Sequence, residues 1–143
     1  MPITTRGDEV MSEAGAFWSR WSPVLLSVLR IVVAFLFMQH GAQKLFGFPG
    51  AGDHKVELAS LMGLAGLLEF AGGGLVLLGL FTRPVAFLLA GEMAFAYFMA
   101  HAPQGFWPVL NHGEAAVFYC FAFLYLSAAG GGPWSLDRVL RHR

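Results

Sequence analysis

The sequence predicts an all-α fold: an integral membrane four-helix bundle with both termini in the cytoplasm. Three observations carry that expectation. Hydrophobic residues make up 57% of the 143 residues and charged ones only 13%, against roughly 45–50% and 25% in a soluble domain. Mean hydropathy is +0.61, and the apolar residues are gathered into four long blocks, the kind of run that a hydrocarbon core of ~30 Å requires of a helix. Clusters of Gly, Pro and charge punctuate the blocks.

The same arithmetic excludes other classes. Nine Lys and Arg balance nine Asp and Glu, so no net field steers the chain toward polyanions, and a nucleic-acid partner is not expected. A single cysteine, Cys120, forbids an internal disulfide and a C-x-x-C redox pair. Between Tyr119 and Phe121 it reads as a packing residue.

The elements follow in order. Residues 1–20 are mixed and polar, with Arg6, Asp8, Glu9, Glu13 and Arg20. They read as a cytoplasmic tail, since no small-residue cleavage site follows an apolar region as in a secretory signal. Phe17, Trp18 and Trp21 mark a membrane interface, where amphipathic rings settle. Residues 21–135 form the transmembrane domain, with spans at about 23–46, 56–80, 84–100 and 113–129. Pro23 suits a helix start, because its missing N–H would have no partner there. Gly47, Pro49, Gly50 and Gly52 end the first span, and Asp53, His54 and Lys55 form a polar loop. Thr82, Arg83 and Pro84 make the next turn, Pro103 and Pro108 break the long loop, and Gly130–Gly132 with Pro133 stop the last span. Residues 136–143 are a basic tail. Positive charges set the orientation: Arg6, Arg20, Arg83, Arg138, Arg141 and Arg143 lie on one side, against Lys44 and Lys55 on the other.

Ionisable residues inside spans are costly and normally face the bundle interior. Here they are Arg30, His40, Glu69, Glu92 and Glu114, with Lys44 near a helix end. At ~100° per residue, Arg30, His40 and Lys44 share one face of the first helix. Arg30 and Lys44 could each simply extend toward an interface, but that does not explain His40 beside them. Glu69 is flanked at helical spacing by Ala65, Gly66, Gly72 and Gly73, small residues that let another helix approach. Glu92 sits mid-span. Glu114 opens the fourth span, where a carboxylate also suits the helix dipole. With Asn111 and His112 these groups outline a polar funnel from the outer surface to the midplane. It could pair with itself as ion pairs fixing helix register, bind a polar headgroup, or relay protons. No metal site is expected, because no H-E-x-x-H or E-x-x-H spacing occurs. The run Gly72–Gly74 lies inside an apolar segment and is not a phosphate loop.

Arg30, then the run His40-Gly41-Ala42-Gln43-Lys44-Leu45-Phe46-Gly47, then Glu69, then Leu78-Gly79-Leu80-Phe81-Thr82-Arg83, Asn111-His112-Gly113-Glu114 and Gly130-Gly131-Gly132-Pro133-Trp134-Ser135-Leu136-Asp137 follow one another along the chain. This order resembles the DoxX family of small four-helix bacterial membrane proteins, over about residues 29–139. The resemblance implies a bacterial inner-membrane protein associated with quinone or thiol redox chemistry, as a membrane subunit beside an oxidoreductase. A membrane quinone would be the ligand. Glu69 and Glu92 would move protons, and Arg30, His40, Lys44, Asn111, His112 and Glu114 would bind or admit the ligand. Electrons would come from a redox enzyme partner or a bound cofactor. The alternative is a non-enzymatic scaffold or small-solute carrier, with the small-residue faces serving a homo-oligomer.

Overall fold

The structure, a computed structural model, describes residues 6–50 and 56–141; the loop formed by Asp53, His54 and Lys55, and Arg143 of the tail, lie outside the described residues. Among the described residues it is all helical. Helix α1 spans Arg6–Phe46. The second crossing is α2 (Leu61–Leu67) and α3 (Gly73–Leu78), joined by a π turn at Leu68–Gly72. Helix α4 (Thr82–Ala96) continues through a π turn at Tyr97–His101. Helix α5 spans Glu114–Ala129, and a short α6 spans Leu136–Arg141. Three crossings, Gly15–Phe46, Leu61–Leu78 and Thr82–Gln104, are long and apolar enough to span a membrane, and Glu114–Ala129 is a shorter apolar helix.

Four boundaries depart from the sequence expectation: Thr82, Arg83 and Pro84 open α4 instead of forming a turn before it, and the basic tail carries α6; the other two lie in the first two spans. Helix α1 does not begin at Pro23. It begins at Arg6 and carries Pro23 inside, so Arg6–Arg20 belong to the same helix as the first span. The second crossing begins not at residue 56 but at Leu61, where the Ser60 hydroxyl accepts the Gly63 N–H at 3.0 Å and caps the helix. A side-chain acceptor there satisfies one of the first-turn N–H groups that have no intrahelical partner.

The bundle keeps an apolar core but, unlike a soluble one, also presents an apolar outer surface. Along α1, Ser27, Arg30, Val33, Ala34, Phe37 and Gly41 are buried, at the three- and four-residue spacing of a helix face. Val28, Leu29, Val32, Phe35 and Leu36 are exposed on the other side. Arginine, serine and a glutamate sit inside while leucine and phenylalanine face out. In water that arrangement would be unstable, but it suits lipid. The core is aromatic at its centre: Phe37 meets Phe123 at 4.7 Å and Tyr119 at 5.1 Å between ring centroids. Cys120 packs at the edge of this core.

Small residues set the helix spacing. A Cβ on Gly41 would lie 2.5 Å from the Phe70 nitrogen, so α1 and the second crossing touch backbone to backbone. Gly72 packs against Leu89, and Gly73 against Met38. The small-residue face around Glu69 is therefore used inside this chain. Helix α3 ends in a Schellman turn: Gly79 has φ 70°, its N–H bonds Val76 O, and the Leu80 N–H reaches Leu75 O at 2.9 Å.

Candidate functional site

The antiparallel order brings the C-terminal end of α1, the π turn of the second crossing and the middle of α4 to one level. Lys44 Nζ lies 2.5 Å from Glu69 Oε1. Glu69 is buried, while the Lys44 side chain is 27% exposed. Gly66 makes the approach possible, since a Cβ there would already be 3.0 Å from Lys44 Cβ. Glu69 sits within the π turn, an insertion that turns one residue's side chain out of the regular helical row and recurs at functional sites.

Glu92 lies within Coulombic range of both Glu69 and Lys44. Both of its carboxyl oxygens are buried without a hydrogen-bond partner, as is Glu69 Oε2. Buried polar atoms are nearly always paired, and an orphan calls for an explanation. Here three such oxygens belong to the two acids whose charges act on one another and on Lys44. Tyr119, on α5, is also within Coulombic range of Glu69, and its ring packs edge-on against His40 at 5.8 Å. His40 itself is exposed. The cluster therefore comprises Lys44, Glu69, Glu92, Tyr119 and His40, of which His40 is exposed and Lys44 partly so.

Four of these residues were expected from the sequence: His40, Lys44, Glu69 and Glu92. Tyr119 was missed, because a tyrosine within Phe118-Tyr119-Cys120-Phe121 looks like core packing; the signal that could have raised it is its phenol, since buried tyrosine hydroxyls need partners. The other expected residues lie elsewhere. Arg30 is fully buried near the other end of the bundle. It donates to Gly131 O at 2.8 Å, Val76 O at 2.6 Å and Trp134 O at 2.6 Å, and also to Leu77 O. Its guanidinium is thus engaged by backbone carbonyls, and it does not extend to the interface. Asn111 is buried in the α4–α5 loop. There it donates to Gly105 O at 2.7 Å and accepts from the Gly113 N–H at 2.8 Å. His112 and Glu114 are exposed, with Glu114 in the first turn of α5, the dipole position that the sequence offered as its plainer role. Among the described residues, no three His, Cys, Asp or Glu side chains converge as metal ligands.

Arg30 belongs to a clasp made from the remaining motifs. Asp137 accepts the backbone N–H groups of Phe81 at 2.7 Å and Thr82 at 2.8 Å, capping the start of α4. Its own N–H donates to Gly79 O at 2.8 Å. Burial works to raise the Asp137 carboxyl, but the two N–H bonds and the nearby Arg141 charge outweigh it and hold the group below the usual carboxylate range. Arg83 donates to Ser127, Ala128 and Ala129 carbonyls and closes the end of α5. So Leu78–Arg83 and Gly130–Asp137, joined through Arg30, are structural motifs.

The DoxX family model matches residues 25–102. An uncharacterised protein of Haemophilus influenzae is 44% identical over 124 residues, covering 82% of this chain and 92% of that protein. Inner membrane protein YphA of Escherichia coli is 31% identical, covering 81% and 90%. Inner membrane protein YqjF of the same organism is 29% identical, covering 81% and 92%. No solved structure matches the chain.

Proposed function

The chain belongs to the DoxX family of inner-membrane proteins, and from that premise we propose that it acts as a quinone-interacting membrane subunit, with the polar cluster as its ligand site. The observation that carries the reading is Glu92: a carboxyl group with both oxygens buried and unpartnered, set against a single Lys44–Glu69 pair. Two carboxylates against one ammonium would leave an uncompensated buried charge, which costs several kcal/mol by the usual order of magnitude. One proton shared within the cluster removes that charge. A site that must hold one mobile proton is a site that can deliver and accept one.

The donor set fits a quinone head, which presents carbonyl acceptors. Lys44 has three N–H groups and the ion pair occupies one. The Tyr119 hydroxyl and the His40 ring add donors on the same side. A bound quinone supplies two-electron, two-proton chemistry, and an oxidoreductase partner supplies the electrons. Glu69 and Glu92 hold and pass protons, Lys44 and His40 orient the carbonyl, and Tyr119 closes the inner wall. His40 is exposed at the outside of an apolar bundle, which favours a ligand dissolved in the bilayer over a water-soluble solute. With the termini in the cytoplasm, as the arginine distribution favours, the cluster lies toward the outer leaflet.

The test is quinone binding to the full chain in lipid nanodiscs, using ubiquinone-1 and the quenching of the four tryptophans. Wild type should quench saturably. Glu92→Gln and His40→Ala should remain folded and bind several-fold more weakly. Linear, partition-like quenching in all three proteins would overturn the proposal and favour the scaffold or carrier reading.

A further inference from the structure

The end of the bundle away from the polar cluster holds a cleft of about 390 Å³, bounded by the α5–α6 loop and the start of α4. Its charged lining is Arg83, Arg138 and Arg141 with Asp137. Asp137 is already committed, since both its oxygens accept backbone N–H groups of α4. Arg83 uses part of its fork on the α5 carbonyls. Arg138 and Arg141 are exposed, and among the described residues neither side chain makes an ion pair. Gly130–Gly132 also line it, with Ser135 packed closely on Gly131 and Ser27 on Gly132. The cleft is therefore lined by three arginines, and its one acid, still ionised, is engaged by two backbone N–H groups of α4.

Guanidinium forks match the oxygens of a phosphate, and planar paired donation is the reason arginine dominates such sites. The surroundings indicate where the phosphate comes from. On α6, Leu136, Val139 and Leu140 are 40%, 51% and 57% exposed, and Trp134 beside them is 57% exposed. Leucine and valine at that spacing form one apolar face, next to the arginines, and exposed tryptophan settles at headgroup depth. Such a helix lies in the membrane surface with its basic side at the level of the phosphates.

We propose that this cleft binds a phosphate group, presented by an anionic lipid headgroup or free in solution, with Arg138 and Arg141 as its selective contacts and the lipid as the source that α6 favours. The site is independent of the quinone reading.

The full chain, purified in detergent, is given equimolar phosphatidylglycerol and phosphatidylcholine, and retained lipid is measured by native mass spectrometry. A separate arm adds inorganic phosphate and follows thermal unfolding. Wild type should retain phosphatidylglycerol over phosphatidylcholine. Arg138→Gln/Arg141→Gln should lose that preference by roughly tenfold, two surface cations each worth several-fold. Arg20→Gln, an exposed arginine outside the cleft, should keep it. Without lipid, Arg20→Gln should melt like wild type and the double variant only slightly lower, since Arg141 supports the Asp137 cap. Stabilisation by inorganic phosphate that the double variant loses, with no lipid preference, would assign the site to free phosphate and overturn the lipid source. Equal lipid retention by wild type and the double variant, with no phosphate effect, would overturn the site itself.

Discussion

Lys44 on α1 and Glu69 on the π turn of the second crossing meet at 2.5 Å, through a gap that Gly66 keeps open. Breaking one partner strands the other. Lys44→Met leaves the Glu69 carboxyl buried without its cation and should cost about 2–3 kcal/mol, below the ~3–5 of a fully buried pair because Lys44 is partly solvated. Lys44→Met/Glu69→Leu should recover most of that loss. Thermal unfolding in detergent followed by circular dichroism measures both; a double variant no more stable than Lys44→Met would show that the pair is not what holds these two crossings together.

Arg30 joins α1 to the carbonyls of Val76, Leu77, Gly131 and Trp134, four acceptors that only a planar fork can reach together. Arg30→Lys keeps the charge and loses the fork. It should cost about 3 kcal/mol or more, as buried charges deprived of partners do. Whatever protein remains folded should bind ubiquinone-1 as wild type does, because Arg30 is not in the cluster. A large loss of quinone affinity at unchanged melting temperature would return Arg30 to the ligand site.

The helical wheel of α1 put Arg30, His40 and Lys44 on one face; Arg30 is buried and Lys44 mostly so, but His40 is exposed. What each one does there was not legible. Arg30's partners are backbone carbonyls 46 to 104 residues away, and a carbonyl has no side-chain signature. Glu69 and Glu92 were recognisable because an acid in an apolar run is expensive wherever it points. Tyr119 was not, because its ring fits a core and its hydroxyl gains meaning only when His40 and Glu69 arrive beside it. Asn111 seemed part of the entrance for its polarity; in fact its amide folds the α4–α5 loop onto itself. Pro23 misled because lacking an N–H suits a helix start but does not require one.

Asp137 gives the clasp a pH dependence. Its folded carboxyl titrates below the ordinary aspartate value of 3.8, so the unfolded chain takes up the proton first as pH falls. The stabilisation is complete above that ordinary value and is lost as pH drops through the folded one. Melting temperature should therefore decline in acid below about pH 4. Asp137→Asn should be less stable than wild type at neutral pH, with the difference shrinking as pH is lowered. A constant difference across the acid range would mean that the carboxylate charge contributes nothing to the cap.

Gly41 and Gly91 are both helical, yet their substitutions should have opposite signs. A Cβ at Gly41 falls 2.5 Å from the Phe70 nitrogen and 2.7 Å from Gly66 O, whereas nothing lies within 4 Å of one at Gly91. Gly41→Ala must push the first two crossings apart and should cost about 1–3 kcal/mol, as overpacking usually does. It should also weaken quinone binding, since Lys44 and Glu69 flank that contact. Gly91→Ala should gain about 0.5–1 kcal/mol from helix propensity. Equal melting temperatures for the two variants would contradict the close approach of α1 to the second crossing.

Glu92 separates a functional acid from a structural one. An ion pair that fixes register is lost at a cost in stability. An acid whose oxygens have no partners already carries a desolvation penalty of about 1–3 kcal/mol, and removing it relieves that penalty. Glu92→Leu should therefore melt higher than wild type while ubiquinone-1 binding falls. Glu92→Gln should lose proton exchange with smaller change in packing. Stability given up at one buried residue and recovered when that residue is removed is the pattern of a site kept for what it does. Lower melting temperature with unchanged quinone affinity in Glu92→Leu would make this acid a structural element and remove the proton-handling role from the cluster.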